Sequence, residues 1–296
     1  MKQRIGPPDQ SLGNAVRRIL GSPRLRKAGL SCAVSILYHF FFLQYRAALI
    51  PRRARISSVD HPLDKDIPFR PRWVGVYLDF TAFWIRCAGF PLSRYGRRVQ
   101  GKVIEFIDSI NLLYVRAAQV YTENFSTTRR PRYYKSPRFL LIHALDPHLM
   151  CVPSLHVMLV IRSYTAFGAM LRSLEGGEQF ASSIEDCRRH ALDITEAILY
   201  VKQHSVNCIP AALYAMTRFD PSLFPPEEAE AFAAALFTRP GSPPAREAIR
   251  NHIISLYRRF LAEGETADDW TAPLRAFLLT CPRQVNRRTI GCNRKL

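Results

Sequence analysis

No CxxC pair occurs in the chain. Its seven cysteines, Cys32, Cys87, Cys151, Cys187, Cys208, Cys281 and Cys292, stand singly, which argues against a disulfide framework and against a structural zinc site. GxGxxG, HExxH and GxSxG are also missing. Nothing therefore points to a dinucleotide-binding fold, a zinc protease or an α/β-hydrolase. The nearest approach to a phosphate loop, GRRVQGKV at 96–103, lacks the Ser or Thr that would hold magnesium. Its Arg-Arg interior is too bulky to wrap a triphosphate, so it reads as a basic turn between helices. No internal repeat and no run of strand-like alternation is present, and the chain reads as predominantly helical.

Acidic residues are scarce. Asp and Glu number 24 against 42 Lys and Arg, a formal charge of +18, which favours anionic partners: a membrane surface, a phosphate-bearing substrate or nucleic acid. The arginine-rich tail RQVNRRTIGCNRKL has no interleaved aromatics and no recognisable module, so nucleic acid is not the expected partner.

Long uncharged runs are few. Ala28 to Tyr45 is eighteen residues without a formal charge, just long enough for a membrane span. Arg17, Arg18, Arg24, Arg26 and Lys27 precede it as a cytoplasmic flank would. Residues 1–27, with Gly6-Pro7-Pro8, read as a basic arm. Trp73 to Leu92 is apolar apart from Asp79 and Arg86, which share a helix face. An amphipathic helix is expected from Val103 to about Tyr121, a long polar loop over 122–152, and a helix from Pro153 to Leu174. Helical spacing resumes over Ile184–Tyr200 and Gln203–Met216. Residues 218–296 carry helix-spaced polar and apolar residues typical of a soluble, helical C-terminal extension.

Three segments hold the residues that phosphoryl transfer without a metal requires. Such a site must neutralise phosphate oxygens with cations and helix-start amides. It also needs a nucleophile and an acid, roles that histidine fills near neutral pH. Arg129-Arg130-Pro131 supplies guanidinium groups. Pro153-Ser154-Leu155-His156 supplies a hydroxyl and a histidine at a helix start, and Lys202-Gln203-His204-Ser205 a cation and a second histidine. Each piece alone is commonplace: helix-end histidines usually cap, and an RRP triplet is usually a basic loop.

In this order the three segments resemble the type-2 phosphatidic acid phosphatase superfamily, which includes lipid phosphate phosphatases and vanadium haloperoxidases. Its pattern is a basic motif ending in Arg-Pro, then Pro-Ser-x-His, then a motif centred on histidine. PSLH and KQH resemble the inositol phosphorylceramide synthase-like branch, and DKDIPFRPRWVGVYL at 64–78 resembles a segment upstream in such proteins. The resemblance covers residues 28–217 and implies an all-α, commonly six-span membrane bundle with both histidines on one, extracytoplasmic, face. It implies that His204 attacks phosphorus and that His156 protonates the leaving oxygen. Arg130, Lys202 and amides around Ser154 would hold the phosphoryl oxygens, with Arg129 beside them. The implied substrate is a lipid phosphate ester; no metal or other cofactor is implied. The sequence departs from the pattern at Glu123, where a lysine is usual, and at Ala197-Ile198 in the third motif. It departs again at Cys208, where an aspartate normally orients the nucleophile. Cys208 and Asn207 are the nearest candidates for that orienting role. Two alternatives stay open: a family member that binds anionic lipid or phosphate without catalysis, and a soluble basic helical protein whose motifs are coincidental.

Overall fold

Apolar residues at three- and four-residue spacing form a helical bundle in the computed structural model, which describes residues 10–50, 55–174 and 177–284. Gly6-Pro7-Pro8, Cys292 and most of the arginine-rich tail lie outside the described residues. The amphipathic α1 (Leu12–Leu20) buries Ala15 and Ile19. Next, α2 (Pro23–Ile36), a π-helical stretch (Leu37–Phe42) and α3 (Leu43–Leu49) run on as one continuous helix, Pro23–Leu49. α4 (Val74–Tyr95) stops at Gly96, whose φ of 60° needs a residue without a β-carbon. Gly96–Val99 then forms a single 3-10 turn into α5 (Gln100–Glu123), so the phosphate-loop lookalike is a basic inter-helix turn.

α7 (Leu155–Arg172) is the bundle's centre. It packs against α4, α5, α8 (Ala181–Tyr200) and α9 (Cys208–Phe219), and nearly all of its side chains are buried. The expected helix starts at Pro153 and Gln203 move to Leu155 and Cys208, because residues 151–154 and 201–207 are spent on two tight turns. α1 crosses α4 at Gly89, where an added β-carbon would lie 2.3 Å from that of Ala15. Asp79 and Arg86, seven apart on α4, form an ion pair, and His190 of α8 joins it with Nε2 2.6 Å from Asp79 Oδ2. Pairing lets these charges sit half-buried between helices.

The expected loop 122–152 contains regular structure: β2 (Phe125–Thr127) and α6 (Pro137–Leu145). β2 pairs in parallel with β1 (Ile56–Ser58), in register Ile56 with Phe125. Strands of three residues are too short to show alternation. The C-terminal residues form α10 (Pro226–Ala234), α11 (Arg246–Glu265) and α12 (Ala272–Thr280). α11 lies along α9, with a hydrogen bond between Thr217 and Tyr257 hydroxyls at 2.9 Å. Among the described residues, Pro23–Leu49 is the helix long and apolar enough to cross a membrane.

Candidate active site

β2 positions the first half of the site. The Ser126 hydroxyl accepts hydrogen bonds from the amides of Cys151 (3.1 Å) and Val152 (2.8 Å), and the Tyr121 hydroxyl donates to the Pro153 carbonyl at 2.6 Å. The turn so fixed delivers Ser154 as N-cap of α7. Met158 is the first amide to close onto the Ser154 carbonyl, so those of Leu155, His156 and Val157 have no intrahelical acceptor and carry the positive end of the helix.

The second half is the turn after α8. Lys202 takes a positive φ of 55°, reversing the chain so that the Gln203 amide bonds back to the Ile198 carbonyl. Asp64 holds the turn's far side: its carboxylate accepts the Val206 amide at 2.8 Å and the His61 amide at 2.7 Å. Asp64 is not alone in the 64–78 segment in serving the site, because Tyr77 also stacks on His156 with ring centres 4.9 Å apart.

These turns bring His156 and His204 together across 48 residues. His204 Nε2 lies 3.3 Å from His156 Nδ1 and 3.4 Å from Ser154 Oγ. Burial, reinforced by the nearby charges of His156 and His148, pushes the His204 pKa well below its ordinary value. The ring is therefore neutral at pH 7, as a nucleophile must be. With the Ser154 hydroxyl donating, Nε2 keeps its lone pair and Nδ1 carries the hydrogen. That Nδ1 is buried without a hydrogen-bond partner, a cost of about 1–3 kcal/mol.

Neither proposed orienting residue relieves it. The Cys208 thiol is engaged with Cys151. The Asn207 amide donates to the Val59 carbonyl at 3.1 Å and accepts from His252 of α11 at 2.8 Å. Asn207 therefore ties the C-terminal helices to the turn that carries His204 instead of touching that ring.

The cations divide. Arg130 lies against Asp146, whose main-chain carbonyl it also meets at 3.1 Å. Lys202 donates to the carbonyls of Asp64 and Ile67, leaving one N–H of the ammonium for another acceptor. Arg129 points outward, its side chain 92% exposed, with its amide on Asp60 at 2.8 Å. A cavity of about 220 Å³ opens onto His204 between Lys202, Lys65, Arg129 and Thr128 on the basic and neutral sides and Asp60 and Asp64 on the other.

The sequence reading missed His148 and Asp146. His148 Nε2 is 2.9 Å from Thr128 Oγ1, its amide donates to Asp146 Oδ1 at 2.8 Å, and its ring centre is 6.5 Å from that of His204. Burial disfavours its charge, but Cys151 and Asp146 outweigh burial and raise its pKa. Asp146 is likewise buried, yet His148 and the Arg130 guanidinium hold its carboxyl well below the usual range. No motif marks these residues; the only sequence signal is an Asp-Pro-His shortly before PSLH. Among the described residues, no group of three or more His, Cys, Asp or Glu is placed to hold a metal ion.

Asp146 should therefore be a stability hub. Asp146→Asn leaves Arg130 buried without its counter-ion and should destabilise the fold by about 2–4 kcal/mol at pH 7 in denaturant unfolding. Arg130→Ala should cost a similar amount, and the double variant less than the sum. Because the native carboxyl titrates below its unfolded value, its contribution is present above about pH 4 and fades on further acidification. The deficit of Asp146→Asn should shrink with it. Additive variants, or a pH-independent deficit, would contradict the pairing.

Comparison with protein-family models, with curated proteins and with solved structures finds no match to this chain.

Proposed function

We propose that the chain is a metal-independent phosphatase or phosphotransferase that acts on a lipid phosphate ester through a phosphohistidine. The observation that carries this reading is the placement of His204 Nε2 within 3.3 Å of His156 Nδ1, beside Ser154 and the free amides of α7. A phosphoryl group entering from the cavity separates the two nitrogens and lies between them. His204 Nε2 attacks phosphorus, the bond to the leaving oxygen breaks, and His156 delivers the proton that oxygen needs. The α7 amides, Lys202 and Arg130 stabilise the charge on the equatorial oxygens, with Arg129 at the cavity wall. Water, or an acceptor alcohol, then loses its proton to His156 and attacks phosphorus, releasing His204.

The resemblance implies an integral bundle with the histidines on the extracytoplasmic face. What supports membrane association is the single helix Pro23–Leu49 together with the basic composition. A second reading, a binder of anionic lipid or phosphate without turnover, is favoured by one observation: His204 Nδ1 lacks an acceptor where the family pattern has an aspartate.

Phosphate release from a panel of lipid phosphates with EDTA present, combined with a base quench, separates the readings. Turnover with an alkali-stable, acid-labile phosphoenzyme supports the enzyme. A folded protein that binds inorganic phosphate but gives neither release nor phosphoenzyme on any member of the panel would replace it with the binding protein.

A further inference from the structure

The apolar surface of this protein is concentrated on one side. Among the described residues, most large exposed hydrophobics belong to α1, to Pro23–Leu49 or to the segment 134–145, with Leu112 and Leu279 elsewhere. On the long helix they recur every three or four positions as Leu30, Val34, Tyr38, Phe42, Tyr45 and Leu49, with Leu37 exposed beside Tyr38, a stripe facing away from the bundle. α1 carries its own stripe of Leu12, Val16 and Leu20, and α6 adds Leu141 and Leu145. The Tyr45 hydroxyl donates to the carbonyls of Ala144 (3.2 Å) and Leu145 (3.1 Å), which joins α6 to the end of the long helix as one continuous face.

The segments that form this face carry charge of one sign. No acidic residue occurs between Asp9 and Asp60, while Arg17, Arg18, Arg24, Arg26, Lys27 and Arg46 are all exposed there. Between Glu123 and Asp146 the chain again has no acid, and its cations include Arg132, Lys135 and Arg138. Apolar stripes whose own segments carry only cations match the chemistry of an anionic leaflet, with acyl chains below and phosphates around.

The packing then decides how the long helix meets that leaflet. It runs beside α5, parallel to it: Ser22 meets Gln100 at one end, and the rings of Phe40 and Tyr114 lie 6.5 Å apart further along. The outer face of α5 between those marks carries exposed Lys102, Glu105 and Asp108, followed by Arg116. Were Pro23–Leu49 to cross a bilayer, Lys102 would lie near one end, but Glu105 and Asp108 would lie alongside the span, open to hydrocarbon. Laid flat, the same helix buries its stripe while the charged face of α5 stays in water.

We propose that Pro23–Leu49 lies in the plane of one anionic leaflet, flanked by α1 and α6, and anchors the protein to the membrane without crossing it. The inference refines the membrane association proposed above and does not depend on the histidine chemistry. It also gives that site a supply route. Gln44 on this helix accepts the Leu149 amide at 3.0 Å, so the anchor abuts the loop that carries Asp146 and His148, and a leaflet on this face presents phosphate headgroups at the edge of the site.

Two measurements on the full chain test it. In flotation with phosphatidylcholine vesicles with or without phosphatidylserine, binding should require the anionic lipid and weaken in high salt. Leu37→Glu with Phe42→Glu, both at exposed positions, should lower the bound fraction by about tenfold or more with the far-UV circular dichroism unchanged. Binding unaffected by that pair, or no binding with a concentration-dependent dimer in solution instead, would overturn the proposal, the latter by assigning the face to a second copy. For orientation, Arg24→Cys with Leu49→Cys is reconstituted into sealed vesicles, treated with an impermeant maleimide and weighed against the unsubstituted protein. An in-plane helix adds two labels or none to each molecule. One added label per molecule would mean that the helix crosses. Phosphate release is measured separately, so either result leaves the catalytic reading standing or falling by its own test.

Discussion

His204→Ala should lower phosphate release by about 10⁴-fold or more with any ester substrate, because in the proposed mechanism it removes the atom that bonds to phosphorus. The loss should fall on kcat and not chiefly on KM, since the α7 amides, Lys202 and Arg130 proposed to bind the phosphoryl oxygens are untouched. The base-stable phosphoenzyme should vanish with it. His204 is buried and bonded to Ser154 and His156, so the truncation also opens a small polar cavity. Thermal unfolding of the variant keeps a folding defect distinct from a chemical one. A folded variant that retains turnover would remove His204 from the nucleophile's role. His148, its ring centre 6.5 Å away, would be the nearest other histidine, but Cys151 and Asp146 raise its pKa against the pull of burial and favour the imidazolium, which cannot attack.

The sequence carried the helices and the two histidines because both leave periodic or motif-like traces. A helix of eighteen to twenty-four residues repeats its apolar spacing often enough to be read, as α5 and α7 do. Pro-Ser-x-His marks a helix start by its chemistry. Contacts made by short segments left no such trace. β1 and β2 are three residues each and pair across some seventy positions. Yet the Ser126 hydroxyl that sets the Cys151-Val152 turn belongs to that sheet. Asp146 and His148 were hidden for the same reason: their roles come from a loop folded back on Arg130 and Thr128. The burial side of each helix was equally illegible. Ala28–Tyr45 looks like a span because it lacks charge, and only its packing against α5, whose outer face is charged, shows what lies at the same depth. Cys208 shows the limit from the other direction. Its position four residues after His204 suggested a surrogate for an orienting carboxylate, but the fold pairs its thiol with Cys151.

His156→Asn should divide substrates by the acidity of their leaving groups. An alkyl phosphate expels a poor leaving group and needs a proton as the P–O bond breaks, so the variant should lose about 10²–10⁴-fold in kcat/KM. An aryl phosphate such as p-nitrophenyl phosphate leaves as a stable anion, and the same variant should lose about tenfold or less, Asn being close to His in size. The pH profile supplies an independent check. Burial outweighs the attraction of Asp146 and pushes the His156 pKa down to about 4, so the acid form is a small and shrinking fraction as pH rises. For the native protein on an alkyl phosphate, kcat/KM should therefore fall between about pH 5 and pH 8, whereas His156→Asn should be nearly flat over that range. The opposite trend, or equal losses on alkyl and aryl substrates, would assign His156 to positioning. Its packing between the stacked Tyr77 ring and the edge-on Phe80 ring, with centres 4.9 and 4.3 Å away, would then serve to hold Nδ1 against His204 and nothing more.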